Sequence, residues 1–418
     1  MPHGTALIAT ICVSLAVAFL GGFLAVRLRL PPLLGYLLAG VVVGPFTPGF
    51  VADMHLAAEL AEIGVMLLMF GVGMHFSLSD LLAVRTIALS GALTQMATAT
   101  ALALAVTRLW GWPLGAGLVF GLALSVASTV VLLRALEAQG ALDSVDGRIA
   151  VGWLIVEDVV MVLTLVLLPA LAGVLGGETA GPARGATSAG VPWTLGLTLA
   201  KVAAFVGLML LVGARLLPWL LDAVVRTGSR ELFTLAVVAV ALGVAYGAAQ
   251  LFGVSFALGA FFAGVVINES DHSHRAATES QPIQDAFAVL FFVSVGMLFD
   301  PQVVVRHPLQ VLTVLAIIVL GKSCFAFLIV KAFRYPLGTA LTVAAALAQI
   351  GEFSFILAGL GMTLGLLPAE GQDLILAGAL LSITLNPLAF RAVGALQGIH
   401  RTPVAAPMTD RGQDMHEP

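Results

Sequence analysis

The sequence predicts an all-α polytopic membrane protein of thirteen transmembrane helices, two of them discontinuous, arranged as an inverted repeat. Three observations lead there. Of 418 residues 60% are hydrophobic and 10% charged, whereas a soluble domain is about 25% charged, so a water-soluble globular enzyme is excluded. The apolar residues fall in runs of about 20, the length of a helix that crosses a bilayer, and lipid leaves the backbone no other partner than itself. The strict alternation of a membrane barrel is absent. Third, two motifs recur about 224 residues apart, as set out below.

The apolar runs lie near 6–26, 33–47, 56–76, 83–107, 114–136, 148–175, 193–221, 230–250, 253–268, 284–299, 308–333, 338–365 and 371–398. The first has no basic residue before it except His3 and no small-residue cleavage site after it, so it is expected to be a retained helix. Between the runs the connections are short, apart from a Gly/Ala/Thr-rich stretch near 176–192 and a polar loop at 269–283. Residues 1–400 are expected to form one membrane domain and 401–418 a tail or the start of a linker.

Short loops carry more Lys and Arg on the cytoplasmic side. One set of loop ends holds Arg27, Arg29, Arg85, Arg134, Arg148, Arg226, Arg230, Arg275, Lys331, Arg334, Arg391, Arg401 and Arg411; the other holds Arg108, Arg184 and Arg306. The N-terminus is therefore expected outside and the C-terminus inside. A net charge of −4 leaves no basic surface for nucleic acid. Cys12 and Cys324 both sit within apolar runs, where cysteine acts as a small hydrophobe.

Gly35-Tyr-Leu-Leu-Ala-Gly40-Val-Val recurs as Gly259-Ala-Phe-Phe-Ala-Gly264-Val-Val, and Val72-Gly73-Met74-x-Phe76 as Val295-Gly296-Met297-x-Phe299. The copies lie seven spans apart, an odd number, so they cross the membrane in opposite directions. Inverted repeats mark secondary transporters, whose site lies at the midplane between interrupted helices in matching positions. The same offset pairs Ser128-Thr129, in the fifth run, with Gln349-Ile-Gly351-Glu352 in the twelfth. Both stretches interrupt apolar sequence with small and hydrogen-bonding residues, which lets a helix unwind and turn carbonyls toward a cation. A serine bonding back to its own helix is the alternative.

The sixth run buries Glu157 and Asp158. An acidic residue at a helix centre costs about 2.5–3.5 kcal/mol to insert, so it belongs to a cavity, a partner or a proton. Neighbours on a helix diverge by about 100°, so one is expected to be the primary cation and proton site and the other its modulator. Lys322, deep in the eleventh run, is a candidate counter-charge. Gly321-Lys322-Ser323 suggests a phosphate loop, but Ala316 stands where that motif requires glycine. Gln349 and Glu352 can complete the polar lining. His272 and His274 lack the further ligands of a metal site and read as a solvated loop.

At these motifs the chain resembles the monovalent cation:proton antiporter-2 family, in particular the Kef-type potassium/proton antiporters. The resemblance spans about residues 5–398. It rests on Gly35-Tyr-Leu-Leu-Ala-Gly with Gly44-Pro45, Ala61-Glu62-Ile-Gly64, Leu124-Ser-x-Ala-Ser-Thr129, Val156-Glu157-Asp158, Gly259-Ala-Phe-Phe-Ala-Gly264, Leu290-Phe-Phe-x-x-Val-Gly296-Met297 and Gln349-x-Gly-Glu352-Phe. It implies a sodium/proton antiporter-like fold with a dimerisation half and a core half, working by elevator-like alternating access as a homodimer in a bacterial inner membrane. It also implies Asp158 as the ion-binding residue, with Ser128, Thr129, Lys322 and Glu352 around it.

Relatives usually place Asn, Gln or Asp before that aspartate, so Glu157 leaves the proton:cation stoichiometry open. Kef-type relatives also carry a nucleotide-binding regulatory domain, matched by nothing up to Pro418, so no cofactor is expected here. The resemblance places the family's regulatory loop at 268–285. The expected activity is exchange of a monovalent cation, K⁺ rather than Na⁺, for H⁺. A gated cation channel and a non-transporting membrane anchor or sensor are the competing classes.

Overall fold

The computed structural model describes residues 6–75, 78–142, 144–177 and 191–400. The expected tail 401–418, Phe76 of the second motif, Arg184 and most of the 176–192 stretch lie outside the described residues. Among the described residues the secondary structure is entirely helical. The first half comprises α1 (Ala6–Arg27), α2 (Pro32–Val43), α3 (Met54–His75), α4 (Leu78–Leu109), α5 (Leu114–Ser125), α6 (Thr129–Ala138) and α7 (Val145–Leu171). After α8 (Val191–Leu208) and α9 (Ala214–Val225), joined by a π-helical turn, come α10 (Arg230–Phe252), α11 (Phe256–Asn268) and α12 (Ser273–Met297). The chain ends with α13 (Gln302–Arg306), α14 (Pro308–Ala316), α15 (Ser323–Ala332), α16 (Leu337–Ala346), α17 (Glu352–Thr363) and α18 (Ala369–His400). Among the described residues nine helical stretches are long and apolar enough to cross a membrane, and α2, α11, α16 and α17 are shorter apolar helices.

Helix starts follow local chemistry. Ser144, Ser229 and Ser255 accept hydrogen bonds from Gly147, Leu232 and Leu258 N–H and so cap α7, α10 and α11. Gly253 closes α10 at φ +67°, a left-handed stop that suits glycine.

The whole schedule of elements repeats. Shifted by 224 residues, α1 and α2 fall on α10 and α11, α3 on α12, α4 on α13–α15, α5 and α6 on α16 and α17, and α7 on α18. The helices α8 and α9 stand between the copies. Packing obeys the same exchange. A methyl group on Gly40 (α2) would collide with the Val293 carbonyl and Gly296 of α12, and one on Gly264 (α11) with the Phe70 carbonyl and Gly73 of α3. These two crossings are images of each other under the shift. Gly64 itself presses on the carbonyl of Phe287, its counterpart under the 223-residue offset of the Val72 and Val295 motifs. Contact between a residue and its own counterpart is what a two-fold relation between the copies would produce. Gly264→Ala is expected to cost about 1–3 kcal/mol through overpacking, read as a lowered melting temperature in detergent.

Two helix groups result. α3 packs on α11 and α12, α2 on α1 and α12, and α10 on α9 and α11; separately, α4 packs on α5 and α7, and α18 on α14, α16 and α17. Lesser contacts of α2 with α18, and of α7 with α8 and α11, join the groups.

The polar loop expected at 269–283 is a correction. α12 begins at Ser273 and runs through Pro282. Arg275 Nε donates to Glu279 Oε1 at 3.0 Å, four residues on, and Gln284 Nε2 donates to Ser280 Oγ at 2.8 Å. Hydropathy marks where lipid begins, whereas helix propensity and i,i+4 pairs carry a helix beyond it. His272 Nε2 lies 2.6 Å from Asp222 Oδ1, and no metal-ligating cluster forms among the described residues.

Candidate functional site

The run 114–138 is two helices, with residues 126–128 non-helical between α5 and α6, and the run 337–363 is likewise interrupted at 347–351 between α16 and α17. The interruptions cross. Ser128 Oγ donates to Glu352 Oε2 at 3.0 Å; the two residues are 224 apart, so this contact also joins a residue to its own image. Gly351 lies against Ser128, and a methyl group there would strike the Ser128 backbone. Gly351→Ala is therefore expected to force the crossing apart, lowering the melting temperature and removing any activity that depends on it.

Two buried helix breaks free backbone groups that need partners. Ser128 caps α6 by accepting from Val131 N–H at 3.3 Å. The Gln349 side chain spans the crossing: its Oε1 accepts from Ser128 N–H at 2.9 Å, and its Nε2 donates to the Ser128 carbonyl at 3.2 Å. Glu157 Oε2 accepts the Ala127 N–H at 2.8 Å. Lys322 Nζ donates to the Gln349 carbonyl at 3.0 Å. A carboxylate thus holds a donor of the first break and an ammonium holds an acceptor of the second.

Sequence reasoning missed the residues that take up the freed carbonyls. Ser354 Oγ donates to the Ala123 carbonyl at 2.6 Å, Gln95 Nε2 to that of Ser125 at 3.1 Å, and Asn386 Nδ2 to that of Ala345 at 2.8 Å. Trp153 Nε1 in turn donates to Gln95 Oε1 at 3.4 Å. Gln95, Ser354 and Asn386 are all buried. A buried side-chain amide inside an apolar run was the signal available for Gln95 and Asn386.

Asp158 sits beside this crossing. Its Oδ2 accepts from the Thr129 hydroxyl at 3.4 Å, and its Oδ1 is buried without a hydrogen-bond partner, as is Oε1 of Glu157. Glu157 and Lys322 have 0% of their surface exposed, Glu352 2% and Asp158 5%. The charges of Glu352 and Glu157 both bear on Asp158, and those of Glu157 and Lys322 on each other. Three buried carboxyl groups thus lie in one region with one buried ammonium. Neither α7 acid has an acidic image in α18, where Leu381 and Ser382 stand at the matching positions. Thr98 stands where the shift would place a second Lys322. The order of the elements repeats between α1–α7 and α10–α18, and these charges do not.

The model of the transmembrane sodium/hydrogen exchanger family matches residues 15–395. The chain belongs to that family. Over 390 residues this exchanger-family chain is 62% identical to YbaL of Escherichia coli strain K12, provisionally named a cation/proton antiporter; the match covers 93% of this chain and 69% of that protein. It is 33% identical over 392 residues to K⁺ efflux antiporter 4 of Arabidopsis thaliana, covering 93% of this chain and 64% of that one. The chain thus spans about two thirds of the length of these relatives. These matches agree with the monovalent cation:proton antiporter-2 resemblance, a family of transporters rather than enzymes. Its fold matches that of the sodium proton antiporter MjNhaP1 from Methanocaldococcus jannaschii, with a TM-score of 0.69 at 17% identity over 93% of this chain and 99% of that one.

Proposed function

We propose that this chain exchanges a monovalent cation, K⁺ in preference to Na⁺, for H⁺ across a bacterial inner membrane. The reading is carried by one observation: a buried aspartate, Asp158, with an unpartnered oxygen beside two crossing helix breaks. With Lys322 charged, ionising Glu157, Asp158 and Glu352 together would leave two negative charges unbalanced in an apolar interior. Such charges are tolerated when a cation or a proton joins them. H⁺ and the cation compete for Asp158, and competition for one carboxylate makes the fluxes obligatorily opposed. Thr129 and Ser128 line the site, Gln349 and Glu352 hold the breaks together, and Glu157 and Lys322 set the local charge.

In this reading the chain crosses the membrane thirteen times, with α5–α6, α8–α9, α14–α15 and α16–α17 each counted as one span, the five-residue α13 lying outside the spans, and residues 1–400 forming the transport domain. The N-terminus lies outside and the C-terminus, with the tail 401–418, in the cytoplasm, as the arginine distribution supports. The group containing α4–α7 and α14–α18 moves against the group containing α1–α3 and α8–α12, and the protein works as a homodimer.

A channel reading is not favoured. A cavity of about 420 Å³, with Glu62, Ser255, Ser294 and Gln372 among its mostly apolar lining, and another of about 370 Å³, with Arg29, Arg134 and Asn386 among its lining, share no lining residue, whereas a channel needs one continuous path. The test is reconstitution into liposomes holding a pH-sensitive dye, with Li⁺, Na⁺, K⁺ and Rb⁺ added in turn. Exchange selective for K⁺ is expected. Its apparent KM for K⁺ should rise as pH falls, by up to about tenfold per unit where one proton competes. A KM indifferent to pH overturns the shared site.

A further inference from the structure

Three arginines from three elements line a single cavity. Arg29, in the turn between α1 and α2, Arg134 on α6 and Arg391 on α18 surround a space of about 370 Å³, with Leu30, Gln139 and Asn386. Among the described residues none of the three has a carboxylate within ion-pair distance. Asp285 is the acid whose charge bears on Arg134. The three arginines are exposed at the mouth of this cavity, and positive charges gathered around one concave space focus their field there and favour an anion between them.

Helix dipoles do not account for this arrangement. The C-terminal ends of α1 and α6 each carry about half a negative charge, which an arginine there complements, but Arg391 lies well inside α18. The backbone at Arg29 adds an independent sign. Leu30 N–H reaches back to the Ala25 carbonyl at 2.8 Å and Arg29 N–H to that of Val26 at 3.0 Å, and Arg29 itself takes φ +60°. That is the left-handed closing position of a helix, where glycine is unstrained and a β-carbon is penalised. The guanidinium is kept at a place where the backbone favours its removal.

The guanidinium fork matches phosphate oxygens two at a time. Leu20 and Leu24 of α1, the helix that leads into Arg29, and Leu28 just after it are exposed, giving acyl chains an apolar surface along the same helix. Basic pockets between membrane helices suit lipid headgroups. We propose that this cavity holds the phosphate of an anionic phospholipid from the leaflet on the arginine-rich face. Because Arg29 belongs to one helix group and Arg134 and Arg391 to the other, the headgroup bridges the two groups.

The assignment does not depend on transport, and its test reads binding. The full chain in detergent is incubated with dioleoyl phosphatidylglycerol or dioleoyl phosphatidylcholine, and retained lipid is measured by native mass spectrometry. Phosphatidylglycerol is expected to be retained in preference, with about fivefold loss for each arginine removed. Arg29→Gly is the decisive variant, since glycine accepts the left-handed turn: it should melt no lower than the parent while retaining less phosphatidylglycerol. Arg29→Gly/Arg134→Gln/Arg391→Gln should retain the two lipids equally. Equal retention by the parent, or undiminished phosphatidylglycerol binding by the triple variant, overturns the proposal. Displacement of the lipid by an equal concentration of inorganic phosphate overturns it too, by showing that a free anion is the ligand.

Discussion

Replacing Asp158 by asparagine is expected to reduce cation-dependent proton flux in proteoliposomes to the level of protein-free vesicles. Asparagine has nearly the same shape and can still accept from the Thr129 hydroxyl, which lies 3.4 Å from Asp158 Oδ2. It cannot take up a proton or supply the charge that draws a cation out of water. A melting temperature near that of the parent, or above it, is expected, because the variant relieves a desolvated carboxylate. Lost flux with retained fold separates a transport role from a structural one. Glu157→Gln makes a useful contrast. Its Oε2 holds the Ala127 N–H, an acceptor that glutamine keeps, so exchange is expected to persist with altered apparent affinity. Flux surviving in Asp158→Asn and vanishing in Glu157→Gln would exchange the two roles.

Lys322→Met is the second large effect, expected chiefly in stability. The ammonium is fully buried and donates to the Gln349 carbonyl at the second break. Removing it leaves that carbonyl without its donor and the nearby Glu157 without an opposing charge. Breaking a buried charge arrangement from one side costs about 3–5 kcal/mol. Denaturation in detergent should show a loss of that size. Adding Glu157→Gln to Lys322→Met should recover a large part of it, because the two charges that act on each other are then removed together and the net charge of the buried group returns to that of the parent. An unchanged melting temperature for Lys322→Met would show that the ammonium is not what holds the break.

The course of the chain was legible because lipid leaves the backbone so few options. Apolar runs located the helices, and two glycine motifs located the repeat. Those glycines prove to be the crossing points, where Gly40 meets Gly296 and Gly73 meets Gly264. The same offset placed Ser128 opposite Glu352, and the two side chains touch. Hydropathy failed where a helix leaves the apolar layer, as at Ser273–Asp285, whose polar residues still favour helix. It also failed at the π-helical turns Met209–Gly213 and Ile317–Lys322, since one extra residue in a turn leaves no trace in composition. The partners of the freed carbonyls were hidden for another reason. Gln95 and Asn386 are far in sequence from the breaks they serve, and nothing local tells an amide which distant carbonyl it will meet.

A two-fold axis through Gly64–Phe287 and Ser128–Glu352 bears on thermodynamics. Half a turn about such an axis would exchange α1–α7 with α10–α18, leaving α8 and α9 outside the exchange, and would interchange the two ends of the helices. Conformations open to opposite compartments would then be assembled from equivalent backbone contacts, and any bias between them would come from the few unduplicated residues, chiefly Glu157, Asp158 and Lys322. A machine of this kind has no built-in forward direction. Reversing the ion gradients across a vesicle should reverse its net flux at comparable speed.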